Sequence, residues 1–146
     1  MKTNELRIGN FLHLDGELYK VHEIKNQMEA VELIRKNHNN PKLNEYEECD
    51  LDYEGLKPIP LTEYLLLKLG FNTDYKKGYI GIDVHNQNGM TTDFVLSYPQ
   101  RMGVWQNFFA WEFDNYKFQK IEYLHQLQNF FFCLCEQELV FSSTEP

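Results

Sequence analysis

The chain has 146 residues and a net charge of −8, with 42% hydrophobic and 15% aromatic residues. That length suits one domain or two small lobes sharing a core, and the apolar content points to a folded globule rather than a disordered chain. The acidity is even, with 9 basic and 13 acidic residues over positions 1–70 and 5 and 9 over 71–146. No basic patch is left of the kind duplex binding needs, and the surface suits solubility or a basic protein partner.

Taken in chain order, the first elements are strands. "RIGNFLHL" and "ELYKVHEI" flank Asp15-Gly16, a two-residue hairpin signal, because both central positions of a type I′ turn need positive φ. Leu12 and Leu14 fall on one face, Phe11 and His13 on the other. "MEAVELI" reads equally as a third strand or a short helical turn. The closeness of these segments resembles the start of an SH3-like small barrel. Residues 36–45 hold four Asn and a Pro and read as a loop. In "YEECDLDYEG" Cys49, Leu51 and Tyr53 alternate with Asp50, Asp52 and Glu54, which predicts a strand with one acidic face.

"LKPIPLTEYLLLKLGF" is the clearest punctuation. Pro58 and Pro60 enforce extended backbone, Thr62 is placed as an N-cap, and Gly70 as the residue just past a short buried helix. This predicts a boundary between an SH3-like β lobe (1–56) and an α+β lobe (57–146), or a bend within one continuous domain. "GYIGIDVH" and "MTTDFVLSY" read as a hairpin centred near Asn88-Gly89, with Ile80, Ile82 and Val84 on one face. In "VWQNFFAWEFD" Trp105, Phe109, Trp111 and Phe113 line one face with Asn107 between them. Val104, Phe108 and Ala110 line the other, so the segment reads as a strand buried on both sides. A helix over about 121–136 follows, and "ELVF" reads as a last strand.

That helix carries the main functional question. At about 100° per residue, Ile121, Tyr123, Leu124, Leu127, Phe130, Phe131, Phe132, Leu134 and Cys135 cover an arc of roughly 200°. Glu122, Gln126, Asn129, Cys133 and Glu136 take the other side. Gln128 falls inside the apolar arc and His125 at its border. A buried Gln must be hydrogen-bonded or it costs about 1–3 kcal/mol, so Gln128 either ties the helix to a backbone edge or lines a small polar pocket with His125 and Asn129.

Other candidate chemistry is sparse. Residues 45–54 hold six carboxylates, among them Asp50, Asp52 and Glu54. They lack the order of a calcium loop and read first as a solvated edge-strand face kept charged against aggregation. His13, His22, His38, His85 and His125 show no zinc-site spacing. His13 and His22 are expected to face one another across the first hairpin. Cys49, Cys133 and Cys135, with no CxxC, suit a reducing cytosol. No metal, cofactor, catalytic residue, P-loop or nucleophile elbow is expected. The opening "MKTNELRIGN" has no apolar run, so the chain reads as cytoplasmic and neither secreted nor membrane-spanning.

"ELRIGNFL", "LKPIPLTEYLLLKLGF" and "IEYLHQLQNFFF" occur in this order in a group that the chain resembles across nearly its whole length. That group comprises small uncharacterised proteins of Bacteroidota phages and prophage-like mobile elements. Its members tend to have a Gly between the last helix and the final strand, where this chain has "CEQEL", which implies a helix end that is longer or capped differently. The resemblance implies an accessory protein acting in the host cytosol and transfers no catalytic residue.

The expected architecture is α+β. An SH3-like β-meander lobe is followed by a short helix and an antiparallel sheet packed on one long C-terminal helix. The expected function is a non-enzymatic module binding a host or phage protein. The alternatives are a nucleic-acid-associated small barrel, which the charge disfavours, and a small-ligand or enzyme pocket near His125 and Gln128. Strand 104–113 is a dimer face if the helix covers only one side of its sheet.

Overall fold

The computed structural model describes residues 2–36, 41–73, 79–85, 91–97, 100–101, 104–105, 108–113 and 116–141. At 3, 41, 92, 100–101, 104–105, 108–113 and 116–119 it describes the backbone alone. The fold is α+β, and every named strand pairing is antiparallel. The chain divides into two compact units, one of residues 1–59 with 123–129 and one of 60–122 with 130–146.

In the first unit β1 (Phe11–Leu14), β2 (Glu17–Lys25), β3 (Ala30–Arg35), β4 (Glu45–Asp50) and β5 (Leu56–Pro58) form one sheet in the order β4-β3-β2-β1-β5. The first hairpin closes as its dipeptide requires: Asp15 and Gly16 have φ of 50° and 89°, and Leu14 faces Glu17. "MEAVELI" resolves into a strand, with a 3-10 turn over Asn26–Met28 ahead of it. Leu12, Tyr19, Val21, Val31, Leu33, Cys49, Leu51 and Leu56 form the core of this unit. Each fully buried large aliphatic among them is worth about 1.5–3 kcal/mol over exposure. Pro58 lies on the edge strand β5, where a missing N–H costs no ladder bond.

The acidic segment departs from expectation. β4 ends at Asp50, because Leu51 turns inward to the core and its N–H donates to the Glu29 carbonyl at 2.9 Å. Asp52 and Glu54 therefore sit in the turn before β5, not on a strand face with Asp50. Tyr53, expected to alternate inward, is exposed, and its hydroxyl donates to Asp15 Oδ1 at 3.2 Å.

The second unit begins at Pro60. Thr62 Oγ1 accepts the Leu65 N–H at 3.2 Å and caps α1 (Glu63–Lys68), and Gly70 follows the helix at φ 88°. The helix is less buried than expected: Leu66 and Leu69 are covered, Tyr64 and Leu67 exposed. β6 (Tyr79–His85), β7 (Thr91–Ser97), β10 (Phe108–Phe113) and β11 (Tyr116–Ile121) form a sheet in the order β11-β10-β7-β6, and β8 (Gln100–Arg101) pairs with β9 (Val104–Trp105). The strand expected over 104–113 is thus two strands, and β11 was not expected at all. Ile80 and Val84 are buried with Phe94 and Leu96, and Phe94 meets Phe71 and Phe131 edge-on at 6.1 and 5.0 Å. His38, Asn88-Gly89 and Asn107, like the side-chain faces of 104–113, lie outside the described residues.

α2 spans Leu124–Cys135, shorter at its start than expected because Ile121 closes β11. Its residues to Asn129 belong to the first unit and those from Phe130 to the second. Beyond it, Glu138–Phe141 form no strand. Glu136 takes the left-handed conformation at φ 55° and its N–H donates to the Phe132 carbonyl at 2.8 Å. A Cβ in that region costs about 1 kcal/mol, so Glu136→Gly is expected to raise stability by about 0.5–1 kcal/mol in urea denaturation.

Candidate functional site

The first half of α2 buries Leu124, His125, Leu127 and Gln128. This stripe is narrower than the arc drawn from apolar residues and is rotated toward the polar ones: Phe132 and Leu134 are exposed, while His125 is inside. Four hydrogen bonds then fasten the helix to the loop of "ELRIGNFL". Gln128 Oε1 accepts the Phe11 N–H at 2.9 Å, and Gln128 Nε2 donates to the Gly9 carbonyl at 3.3 Å. Asn129 Oδ1 accepts from Asn10 Nδ2 at 2.9 Å, and Asn129 Nδ2 donates to the Glu5 carbonyl at 2.9 Å.

The loop is shaped to receive them. Gly9 sits at φ 97° and its N–H donates to the Val21 carbonyl, while the Val21 N–H donates back to Asn10. Asn10, fully buried, accepts the Arg7 N–H on its side-chain oxygen at 2.7 Å. This leaves the Gly9 carbonyl and Phe11 N–H pointing away from β2, and one side-chain amide is the group that can meet both. Gln128, 1% exposed, does so.

The start of α2 is closed in the same way. The Leu124 N–H donates to the Ile59 carbonyl at 2.9 Å, and Gln126 Oε1 accepts the Tyr123 N–H at 3.3 Å, the Gln half of a capping box. The amides of Gln128 and Asn129 are therefore each bonded within the protein through both oxygen and nitrogen.

His125 is different. It is 2% exposed, stacks on Tyr123 at 5.8 Å with planes 11° apart, and neither ring nitrogen has a hydrogen-bond partner among the described residues. Burial pushes its pKa below the ordinary imidazole value, against the pull of the Glu5 carboxylate.

The acidic candidates occupy the other end of the sheet order. β4 is an edge strand on which Glu45, Tyr46, Glu47, Glu48 and Asp50 are exposed and Cys49 is buried. The register sets Glu48 opposite Glu32 and Glu32 opposite Glu23, three carboxylates in one row across three strands. Lys25 pairs with Glu48, and His22 Nε2 lies 3.7 Å from Glu32 Oε1. His22 does not face His13, whose partner across the hairpin is Leu18; its ring instead meets Tyr46 edge-on at 5.4 Å. Arg35 bridges Glu17 and Glu45.

Burial first, and then the Asp50 charge, raises the Cys49 pKa, and burial raises that of Cys135, so both stay protonated at neutral pH. Among the described residues no three His, Cys, Asp or Glu side chains are placed to hold a metal ion, and no helix is long and apolar enough to cross a membrane. A half-open hollow of about 430 Å³ in the second unit is lined by Val84, Asp93, Phe94, Phe130, Leu134 and Cys135. It does not include His125 or Gln128.

Comparison with known proteins returns no match: no family model, curated protein or solved structure aligns with the chain.

Proposed function

We propose that the chain is a non-enzymatic protein-binding module of phage or mobile-element type, that its first unit is an open SH3-like β-meander, and that a basic segment of a host or phage protein docks along β4. The order β4-β3-β2-β1-β5 supports the SH3-like reading, since a meander whose fifth strand returns to pair with the first is the strand order of that class, and here the sheet is not closed between β4 and β5. The observation that carries the docking reading is the row Glu23–Glu32–Glu48 ending on an edge strand. Like charges directly opposite one another in a sheet cost stability, of order 0.2–1 kcal/mol per pair. Lys25 and His22 offset part of that. A basic chain lying along β4 would relieve the rest while adding backbone hydrogen bonds to a free edge.

The same row works against a nucleic-acid ligand, whose phosphates it repels. A pocket at His125 and Gln128 is disfavoured because the Gln128 amide is already bonded to Gly9 and Phe11.

Affinity capture from host lysate tests the reading. A stoichiometric partner is expected, its retention falling steeply with salt. The double substitution Glu47→Lys with Asp50→Lys leaves every ion pair named above intact and is expected to weaken capture at least about tenfold, roughly 1.4 kcal/mol, at unchanged stability. Capture that ignores both salt and these substitutions overturns the docking surface.

A further inference from the structure

Buried polar groups are nearly always hydrogen-bonded, and one that is not calls for an explanation. His125 is such a group: a fully enclosed ring with two unpartnered nitrogens among the described residues. Its position sharpens the point. It is the second residue of α2, beside the positive end of the helix dipole, which disfavours an added cation. It lies one turn before the Gln128 and Asn129 amides that hold residues 5–11. Nothing on the ring's own helix turn offers it an anion: Leu124, Gln126 and Leu127 are neutral.

We propose that His125 is an acid-sensitive latch in the first unit: neutral, it seals the start of α2 against the N-terminal loop; protonated, it forces the helix start and that loop apart. The protonated ring needs water or a counter-charge. The charged groups acting on it are the Glu5 carboxylate, which favours the proton, and the chain's amino terminus, which opposes it. Tyr123 stacks on the ring face. With the dipole and burial also against the proton, the enclosed ring stays neutral, and the opened form is the one that can bind it. The bonds broken on opening are then Gln128 to Gly9 and Phe11, and Asn129 to Asn10 and Glu5.

The sign follows from linkage. The open form binds the proton at the ordinary imidazole value of 6.5 and the closed form below it, so the closed form is fully favoured above that pH. It loses ground as pH falls through the window between the two values. One proton sets the limit at about tenfold in the opening equilibrium per pH unit.

Amide hydrogen exchange of the full chain, corrected for the intrinsic pH dependence, reads this directly at Phe11, whose N–H donates to Gln128. Its protection is expected to fall by up to about tenfold per pH unit below 6.5, while that of Leu33 in β3 holds. His125→Leu is expected to abolish the fall, and His22→Gln to leave it intact. Should His125→Leu not fold, ring titration by NMR in the unaltered chain decides, since the latch requires an imidazole that titrates below 6.5 in step with the loss of Phe11 protection. Phe11 protection that is flat from pH 7.5 to 5, or that falls equally in the folded His125→Leu variant, overturns the latch.

Discussion

Gln128→Leu is expected to cost about 3 kcal/mol of stability, with little change in side-chain volume. The substitution strands the Phe11 N–H and the Gly9 carbonyl, both of which Gln128 now satisfies, and each unpaired buried group costs about 1–3 kcal/mol. A Leu at this position continues the buried stripe of Leu124 and Leu127, so hydrophobicity alone predicts a gain. The two accounts differ in sign. Urea denaturation separates them: the bonded account predicts a lower midpoint at the same slope, the hydrophobic account a higher one. Gln128→Glu keeps an acceptor for Phe11 but loses the donor to Gly9 and buries a charge, and is expected to cost at least as much.

Leu12→Ala is expected to cost about 3 kcal/mol, within the usual range for emptying a leucine-sized site in a close-packed core. Leu12 has no exposed surface, faces Tyr19 on β2 and Pro58 on β5, and shares the core with Val21, Val31 and Leu33. It is held by strands on both sides, so the site has little room to collapse. Tyr64→Ala, on the exposed face of α1, is the matched control: Tyr64 is 67% exposed, and its loss is expected to fall within about 0.5 kcal/mol of zero. Thermal or urea melts of the two variants check the contrast. A small loss at Leu12 would mean that the core is not where the sheet places it.

How much of this was legible in the sequence depends on how local each cause is. The Asp15-Gly16 turn, the Thr62 cap and Gly70 were legible because each is a demand on one or two dihedrals that few residues meet. Gln128 was legible as a polar group on an apolar face, and so was its need for a backbone partner; which backbone was not, since Gly9 and Phe11 lie more than a hundred positions away. The start of α2 was misplaced because Ile121 and Tyr123 fit a helical arc as well as they fit a strand end. The alternation in "YKFQ" that marks β11 was overlooked beside them. His125 sat at the border of the angular count, where only packing in three dimensions decides.

The carboxylate row was not legible. It depends on a bulge between Val21 and Glu23, which slips β2 by one residue and sets Glu23 opposite Glu32. A one-residue slip exchanges which side chain occupies a row, and periodicity does not show it. The expected strand through Tyr53 failed for a related reason: alternation continued in the sequence after the chain had turned at Leu51. The segments "ELRIGNFL" and "IEYLHQLQNFFF" form the two sides of the α2 clasp. Their polar residues are explained by holding one another.

The polar residues of α2 hold the first unit together, and the proposed docking surface is β4. Partner capture by folded Gln128→Leu, at a temperature below its melting transition and beside its urea midpoint, tests this most directly. The expected result is a midpoint lowered by the equivalent of about 3 kcal/mol with capture equal to that of the unaltered chain. Capture lost from a folded Gln128→Leu protein of near-normal stability would contradict it and return the start of α2 to the role of a binding site.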